Sequence, residues 1–350
     1  MEQPNHDSPE LISADDRYAR QTVLSQIGPE GQKKLSESSV LIVGCGALGA
    51  AQAELLARAG VGSIFLADRD VVELHNLQRQ LLYDEQDVEE LMPKASAAAR
   101  KLRRINSSVR IEEIVTDVTN SNIEKLIEPV DLVLDATDNF QTRCLINDAC
   151  IKVGKPWVYG GVVGTNGMVM VVSPGNGPCF RCILPEPPNV SDLPTCATHG
   201  VLNTAVLWVA ALQVTEAFKL LMGIDSSEHF LRALDIWKGS VDSMRVSKDE
   251  NCPCCSKRHF EYLEAERGLS ATVLCSRKAV QISPAQPMEL SLELLGKKLK
   301  PFGPVSLKGL VLEWHIDSYR MVIFPTGHVI VAGTTDPSIA KGLVARYIGG

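Results

Sequence analysis

The chain has 350 residues, is 45% hydrophobic and carries a formal charge of −7. That length accommodates one large α/β domain and a smaller one, each with its own core. The acidic balance speaks against a nucleic-acid partner. Ten cysteines without an export signal point to metal or thiol chemistry in the cytoplasm rather than a disulfide framework.

Residues 1–16 are polar and acidic, with no apolar core of a signal peptide, and read as a flexible leader. Arg17 to Leu35 reads as helix. The apolar run Val40-Leu41-Ile42-Val43 then feeds Gly44-Cys45-Gly46-Ala47-Leu48-Gly49, a glycine turn opening a helix from Ala50 to Ala59. A helix N-terminus presents free N–H groups and a positive dipole end, which hold phosphate. Gly44 permits the turn, Gly46 lets phosphate approach, and Gly49 lets the helix pack closely. Short apolar strands follow at Ser63–Ala67, Arg110–Val115, Leu132–Leu134 and Trp157–Tyr159, with helices at Pro93–Ile105 and Gln141–Val153 between them. The alternation predicts a Rossmann-like, doubly wound parallel sheet. Met168–Val172 adds a strand.

A loop rich in Pro, Cys and Gly runs from Pro174 to Thr198. The apolar stretch Val201–Met222, interrupted by Asn203, Gln213, Glu216 and Lys219, reads as a mostly buried helix and not a membrane span. The first domain thus covers 17–256. Residues 257–272 read as a charged linker helix. Residues 273–350 read as a small α+β domain, with a helix at Leu290–Leu299, strands at Gly309–Ile316, Tyr319–Phe324 and His328–Val331, and a helix at Pro337–Ile348.

The glycine turn alone fits an NAD-dependent oxidoreductase equally well, and Asp68 at the second strand's end could accept from the ribose of either nucleotide. Asp70, Asn76, Gln78, Arg79 and Lys94 tip the reading toward a triphosphate, whose negative charge grows during attack on phosphorus. Asp138, just past the strand Leu132–Leu134, is a Mg²⁺ candidate, and Asp138 or Asn139 could cap the next helix, two roles that can coexist. Cys179, Cys182, Cys252 and Cys255 form two CxxC pairs with the spacing of a structural zinc site. Cys254 competes less well, since a CxC pair chelates poorly. Cys196 lies on a loop beside His199, where a thiolate is favoured.

Arg17-Tyr18-Ala19-Arg20-Gln21, the glycine turn, Asp68, Asn76-Leu77-Gln78-Arg79-Gln80, Pro93-Lys94, Asp138-Asn139 and the two CxxC pairs occur in an order that resembles the HesA/MoeB/ThiF family, relatives of ubiquitin-activating enzymes. The resemblance runs from about Tyr18 to Cys255. It implies Mg-ATP-dependent adenylation of the C-terminal glycine of a ubiquitin-like sulfur carrier ending in Gly-Gly. Sulfur from a desulfurase or rhodanese donor would then yield a thiocarboxylate for molybdopterin or thiamine synthesis. It further implies that Asp68 holds ribose, that Arg79 and Lys94 neutralise phosphate, and that Asp138 handles Mg²⁺. Arg20 would reach into a partner's site in a homodimer, and Cys196 would form a covalent carrier adduct. Ala47 stands where the family commonly has Gly, yet still offers its N–H. The segment after Cys196 departs from the family pattern. Adenylation of another carboxylate, such as one carried on tRNA, is a second reading.

Overall fold

The computed structural model describes residues 14–175, 177–186, 199–224, 229–264, 270–274, 278–284 and 288–348. Two helices replace the single one expected from Arg17 to Leu35: α1 (Ala14–Thr22), which starts inside the expected leader, and α2 (Gly28–Glu37). Gly28, at φ +61°, and Pro29 in the first turn of α2 force the break.

The chain then lays down β1 (Ser39–Val43), α3 (Ala47–Ala59), β2 (Ser63–Asp68), α4 (Glu85–Glu89), α5 (Lys94–Ile105), β3 (Arg110–Val115), α6 (Ile123–Ile127), β4 (Leu132–Asp135), α7 (Phe140–Val153) and β5 (Trp157–Val163). These five strands pair in parallel in the order β3-β2-β1-β4-β5. Leu41, Ile42, Val133 and Leu134 are fully buried because helices cover both faces. α3 and α5 share one core, and α6 and α7 the other.

The sheet is not parallel throughout, as the sequence suggested. β6 (Asn166–Val172) returns antiparallel to β5, followed by β7 (Phe230–Asp235) and β8 (Ser240–Arg245), which the sequence reading missed. The reason lies in the Gly164-Thr165 connection, where Gly164 has φ +62°. It is too short for a crossover, so the next strand must reverse. Between β6 and β7 lie α8 (Phe180–Ile183) and α9 (Asn203–Leu221). α9 is long and apolar enough to cross a membrane by length and composition. Here one face, including Val206, Val209, Gln213 and Ala217, is buried against α3, β5 and β6, while Leu207 is partly exposed. Its burial is one-sided, where the sequence suggested a mostly buried helix.

The expected linker helix at 257–272 shrinks to α10 (Glu261–Glu264) among the described residues. The segment docks instead of bridging: Phe260 is buried in the core beside α7, and the Tyr262 N–H donates to Asp148 Oδ2 at 2.9 Å. A second sheet begins at Ser270, ahead of the expected boundary at 273. It comprises β9 (Ser270–Leu274), β10 (Ala279–Ser283), β11 (Val305–Lys308), β12 (Val311–Ile316), β13 (Tyr319–Ile323) and β14 (Val329–Ala332). The order is β11-β12-β13-β14-β10-β9, all antiparallel. α11 (Leu292–Leu299) and α12 (Pro337–Tyr347) cover one face around Trp314.

Candidate active site

The strand order reverses between β1 and β4, so a crevice opens at their carboxyl ends. The glycine turn fits there for steric reasons. Gly44 has φ +96°, and a Cβ on it would stand 2.7 Å from the Ala136 carbonyl oxygen. A Cβ on Gly49 would stand 1.9 Å from the Gly44 oxygen. Gly46 meets nothing nearer than Gln80 Nε2 at 3.9 Å, so its bareness leaves an approach open. α3 begins at Ala47, three residues earlier than expected, and Ala47 and Gly49 therefore carry first-turn N–H groups toward the crevice.

Asp68, Asp70 and Lys94 meet beside this turn. The Asp68 carboxylate accepts the Cys45 and Asp70 N–H groups, each at 2.6 Å. Burial pushes Asp68 above the ordinary carboxylate range, with Lys94 opposing and Asp70 reinforcing the shift. Lys94, at the start of α5, places Nζ 3.0 Å from Asp70 Oδ2 and donates its N–H to the Asp70 carbonyl at 2.8 Å. Tyr83, missed in the sequence, donates its hydroxyl to the Cys45 carbonyl at 2.7 Å, bracing the turn.

Three residues expected at the nucleotide point elsewhere in this structure. Asn76 is buried in a 3₁₀ turn, Leu74–Asn76, where its Oδ1 accepts the Glu73 N–H at 3.1 Å. Arg79 donates to the His75 carbonyl at 2.8 Å, and Gln78 points to solvent. The turn satisfies its own backbone with the side chains that looked like ligands. Arg20 is exposed on α1, which is anchored by Tyr18 against Gly60 and Asn106 at the C-terminal ends of α3 and α5. α3 has 13 residues. A helix of that length spans about 20 Å, so Arg20 lies at the opposite end of its own domain from the glycine turn. Cys196 lies outside the described residues.

At the end of β4, Asp138 is exposed, while Asn139 caps α7 by accepting the Thr142 N–H at 2.8 Å. Behind them Arg143 Nε lies 3.2 Å from Asp135 Oδ2, both residues buried. Gln52 and Gln213 both donate to the Asp135 carbonyl oxygen. Arg69 pairs with Asp117 at 2.8 Å, and its charge faces Asp70 and Asp138. Arg69, Asp135 and Arg143 escaped sequence reading. Gln213 left a trace by interrupting an apolar run, but nothing local pairs Asp135 with Arg143.

The Sγ atoms of Cys179, Cys182, Cys252 and Cys255 all lie within 4.8 Å of one another. Cys179–Cys252 and Cys182–Cys255 are each 3.5 Å apart. A tetrahedral metal bound through sulfur needs edges of about 3.8 Å, so the four thiols fit a metal ion. Cys254 lies outside this set of four and accepts from Asn147 Nδ2 at 3.2 Å. Burial pushes the Cys45 thiol up, and Cys144 up to about 11, which keeps both inert.

Among known proteins, the model of the ThiF family matches residues 18–254. The sulfur carrier protein ThiS adenylyltransferase of Bacillus subtilis is 45% identical over 336 residues, covering 95% of this chain and 99% of its own. The sulfur carrier protein adenylyltransferase of Thermus thermophilus is 40% identical, covering 69% of this chain and 90% of its own. A crystal structure of E. coli MccB with ATP shares the fold at TM-score 0.60 and 22% identity, covering 69% of this chain and 75% of that one. The glycine turn at the sheet's switch point, the Asp68–Asp70–Lys94 cluster and the paired thiols all fall within the matched span, and the chain belongs to the ThiF family.

Proposed function

We propose that the chain is an adenylyltransferase that uses ATP to activate the C-terminal carboxylate of a ubiquitin-like sulfur carrier. The observation carrying this reading is the buried Lys94 cation beside the free first-turn N–H groups of α3. Neither the oxidoreductase nor the tRNA-linked reading is favoured by relatives named as sulfur-carrier adenylyltransferases.

In the reaction a carrier carboxylate oxygen attacks the α-phosphorus of ATP. The bond to the bridging oxygen breaks and pyrophosphate leaves with its electron pair. The α3 N–H groups and Lys94 hold phosphate, and Asp68 accepts from ribose. Arg79 joins them by releasing the His75 carbonyl, while Gln78 lines the entrance. Asp138, an exposed oxygen donor facing Arg69, would hold Mg²⁺, which supplies neutralising charge when bound. The position of Arg20 far from its own glycine turn supports a homodimer in which it completes the partner's site. The four thiols would hold structural zinc, whose closed sulfur shell leaves no position for substrate. That reduced set suits the cytoplasm. Cys196 would attack the carrier's acyl-adenylate and expel AMP, holding the carrier as a thioester, which sulfide from a separate donor would then displace to give the thiocarboxylate and free the thiol.

Among possible carriers, a ThiS-like one is favoured over a MoaD-like one. The relative that matches 95% of this chain, beyond the family model's span, carries the ThiS name. The test is ATP–pyrophosphate exchange with purified carriers. Exchange should appear with a ThiS-like carrier and vanish when its terminal glycine is removed. No exchange with any Gly-Gly carrier overturns the reading.

A further inference from the structure

The second sheet presents two faces. Val280 and Ile282 of β10 turn toward α11 and α12, and Ala279, Gln281 and Ser283 turn the other way. On that other side Val322, Phe324 and Ile330 pack on Val71 and Leu91 of the nucleotide-binding domain. The polar edge of the contact is more specific. Gln281 Nε2 and Ser283 Oγ donate to Asp117 Oδ2 at 3.2 and 2.7 Å. The other oxygen of Asp117 holds the Arg69 guanidinium at 2.8 Å. His328 is buried, stacked on Phe324, with Nε2 2.9 Å from the Arg69 carbonyl oxygen. That nitrogen must be the donor, so Nδ1 accepts from Thr326 Oγ1 at 2.8 Å.

Arg69 is therefore gripped by both its side chain and its main chain, and it sits between the two site acids. Asp68 on one side holds the Cys45 N–H of the glycine turn, and Asp70 on the other holds Lys94. A residue whose carbonyl and guanidinium are both fixed leaves its neighbours little backbone freedom. The contact is far from local, since 259 positions separate His328 from Arg69.

We propose that the C-terminal sheet is a clamp on the nucleotide site, and that His328 is a positioning residue that fixes Asp68 and Asp70 for ATP through the Arg69 backbone. This rests on the assignment of Asp68, Asp70 and Lys94 to the ATP site made above. A domain serving stability alone would leave ATP affinity untouched in a folded variant. A clamp would not.

The experiment compares wild type, H328F, H328Q, S283A and D68A as full chains. It measures calorimetric affinity for Mg-ATP, the KM for ATP and for carrier, and thermal unfolding to verify folding. H328F keeps an aromatic ring on Phe324 but loses the donor. It should weaken Mg-ATP binding at least about fivefold, the worth of one hydrogen bond, with the carrier KM within about twofold. H328Q restores an N–H donor and should return most of the affinity. S283A, a smaller change, should weaken ATP binding about two- to threefold and keeps the test decisive if H328F fails to fold. D68A should abolish binding. Wild-type protein without Mg-ATP affinity would overturn the site assignment and the clamp with it. Binding lost in D68A but unchanged in folded H328F, or in S283A where H328F does not fold, would overturn the clamp alone.

Discussion

Lys94 Nζ lies 3.0 Å from Asp70 Oδ2, with the lysine side chain 5% exposed and the aspartate 20%. A cation so placed is already desolvated, and a phosphate entering the crevice meets it without the cost of stripping its water. Replacing Lys94 with Met should lower kcat/KM for ATP by on the order of 10²–10³, or about 3–4 kcal/mol of transition-state stabilisation. The change also removes the buried Lys94–Asp70 ion pair, so stability should fall by about 2 kcal/mol. Exchange kinetics and thermal unfolding measure the two effects separately. Activity within tenfold of wild type would remove Lys94 from the phosphate site.

The paired thiols join α8 to the segment after β8, so a metal there closes a long loop and should contribute to folding more than to chemistry. Elemental analysis should find one zinc per chain. C252S should lose it and unfold about 10 °C lower, with the KM for ATP unchanged below that transition. C254S should keep the metal, because that thiol faces Asn147. Full metal content in C252S would refute the ligand set.

The nucleotide-binding half of the fold was legible because its signals are local. Gly44 needs a positive φ, Gly49 has no room for a side chain, and β1 and β4 are apolar on both faces. β7 and β8 were not legible for the complementary reason. Most of β8 is exposed, so its residues need no apolar alternation. Asn76 and Arg79 show that a motif names residue types and not their hydrogen-bond partners. Here the 3₁₀ turn takes both side chains. The Asp135–Arg143 pair and the His328–Arg69 contact depend on packing between distant segments, which no periodicity encodes.

Arg20 offers a subunit test. If it acts in the partner's site, R20A and K94M chains are each nearly inactive alone but complement when mixed. A mixed dimer then contains one intact site and one doubly defective site. Random reassortment makes half the dimers mixed, so activity should recover to about one quarter of wild type. Action within one chain gives no recovery. Activity after mixing and refolding, followed by size-exclusion chromatography, separates the two cases.

Asp138 is exposed at the carboxyl end of β4, so its loss should cost function without stability. D138A should unfold within about 1 °C of wild type, while the Mg²⁺ concentration for half-maximal exchange rises at least about tenfold. An unchanged Mg²⁺ dependence would exclude Asp138 as a ligand.

His328 gives the C-terminal junction a defined pH dependence. Burial lowers its pKa from 6.5 to about 4, while the Arg69 carbonyl and Asp117 oppose the shift. Between those values the unfolded chain binds a proton that the folded chain does not, so stability falls as pH falls through this window. The full effect is on the order of 3 kcal/mol, reached near the folded value. Above pH 6.5 both states carry the neutral ring, and the contribution is constant. Carboxylates also titrate in acid, so the contrast with H328Q is the informative quantity. The glutamine variant keeps a donor for the Arg69 carbonyl and has nothing to protonate. Between pH 7 and 5 its unfolding free energy should therefore decline less steeply than that of wild type. Parallel pH profiles for the two proteins would mean that the imidazole takes up its proton without leaving the junction.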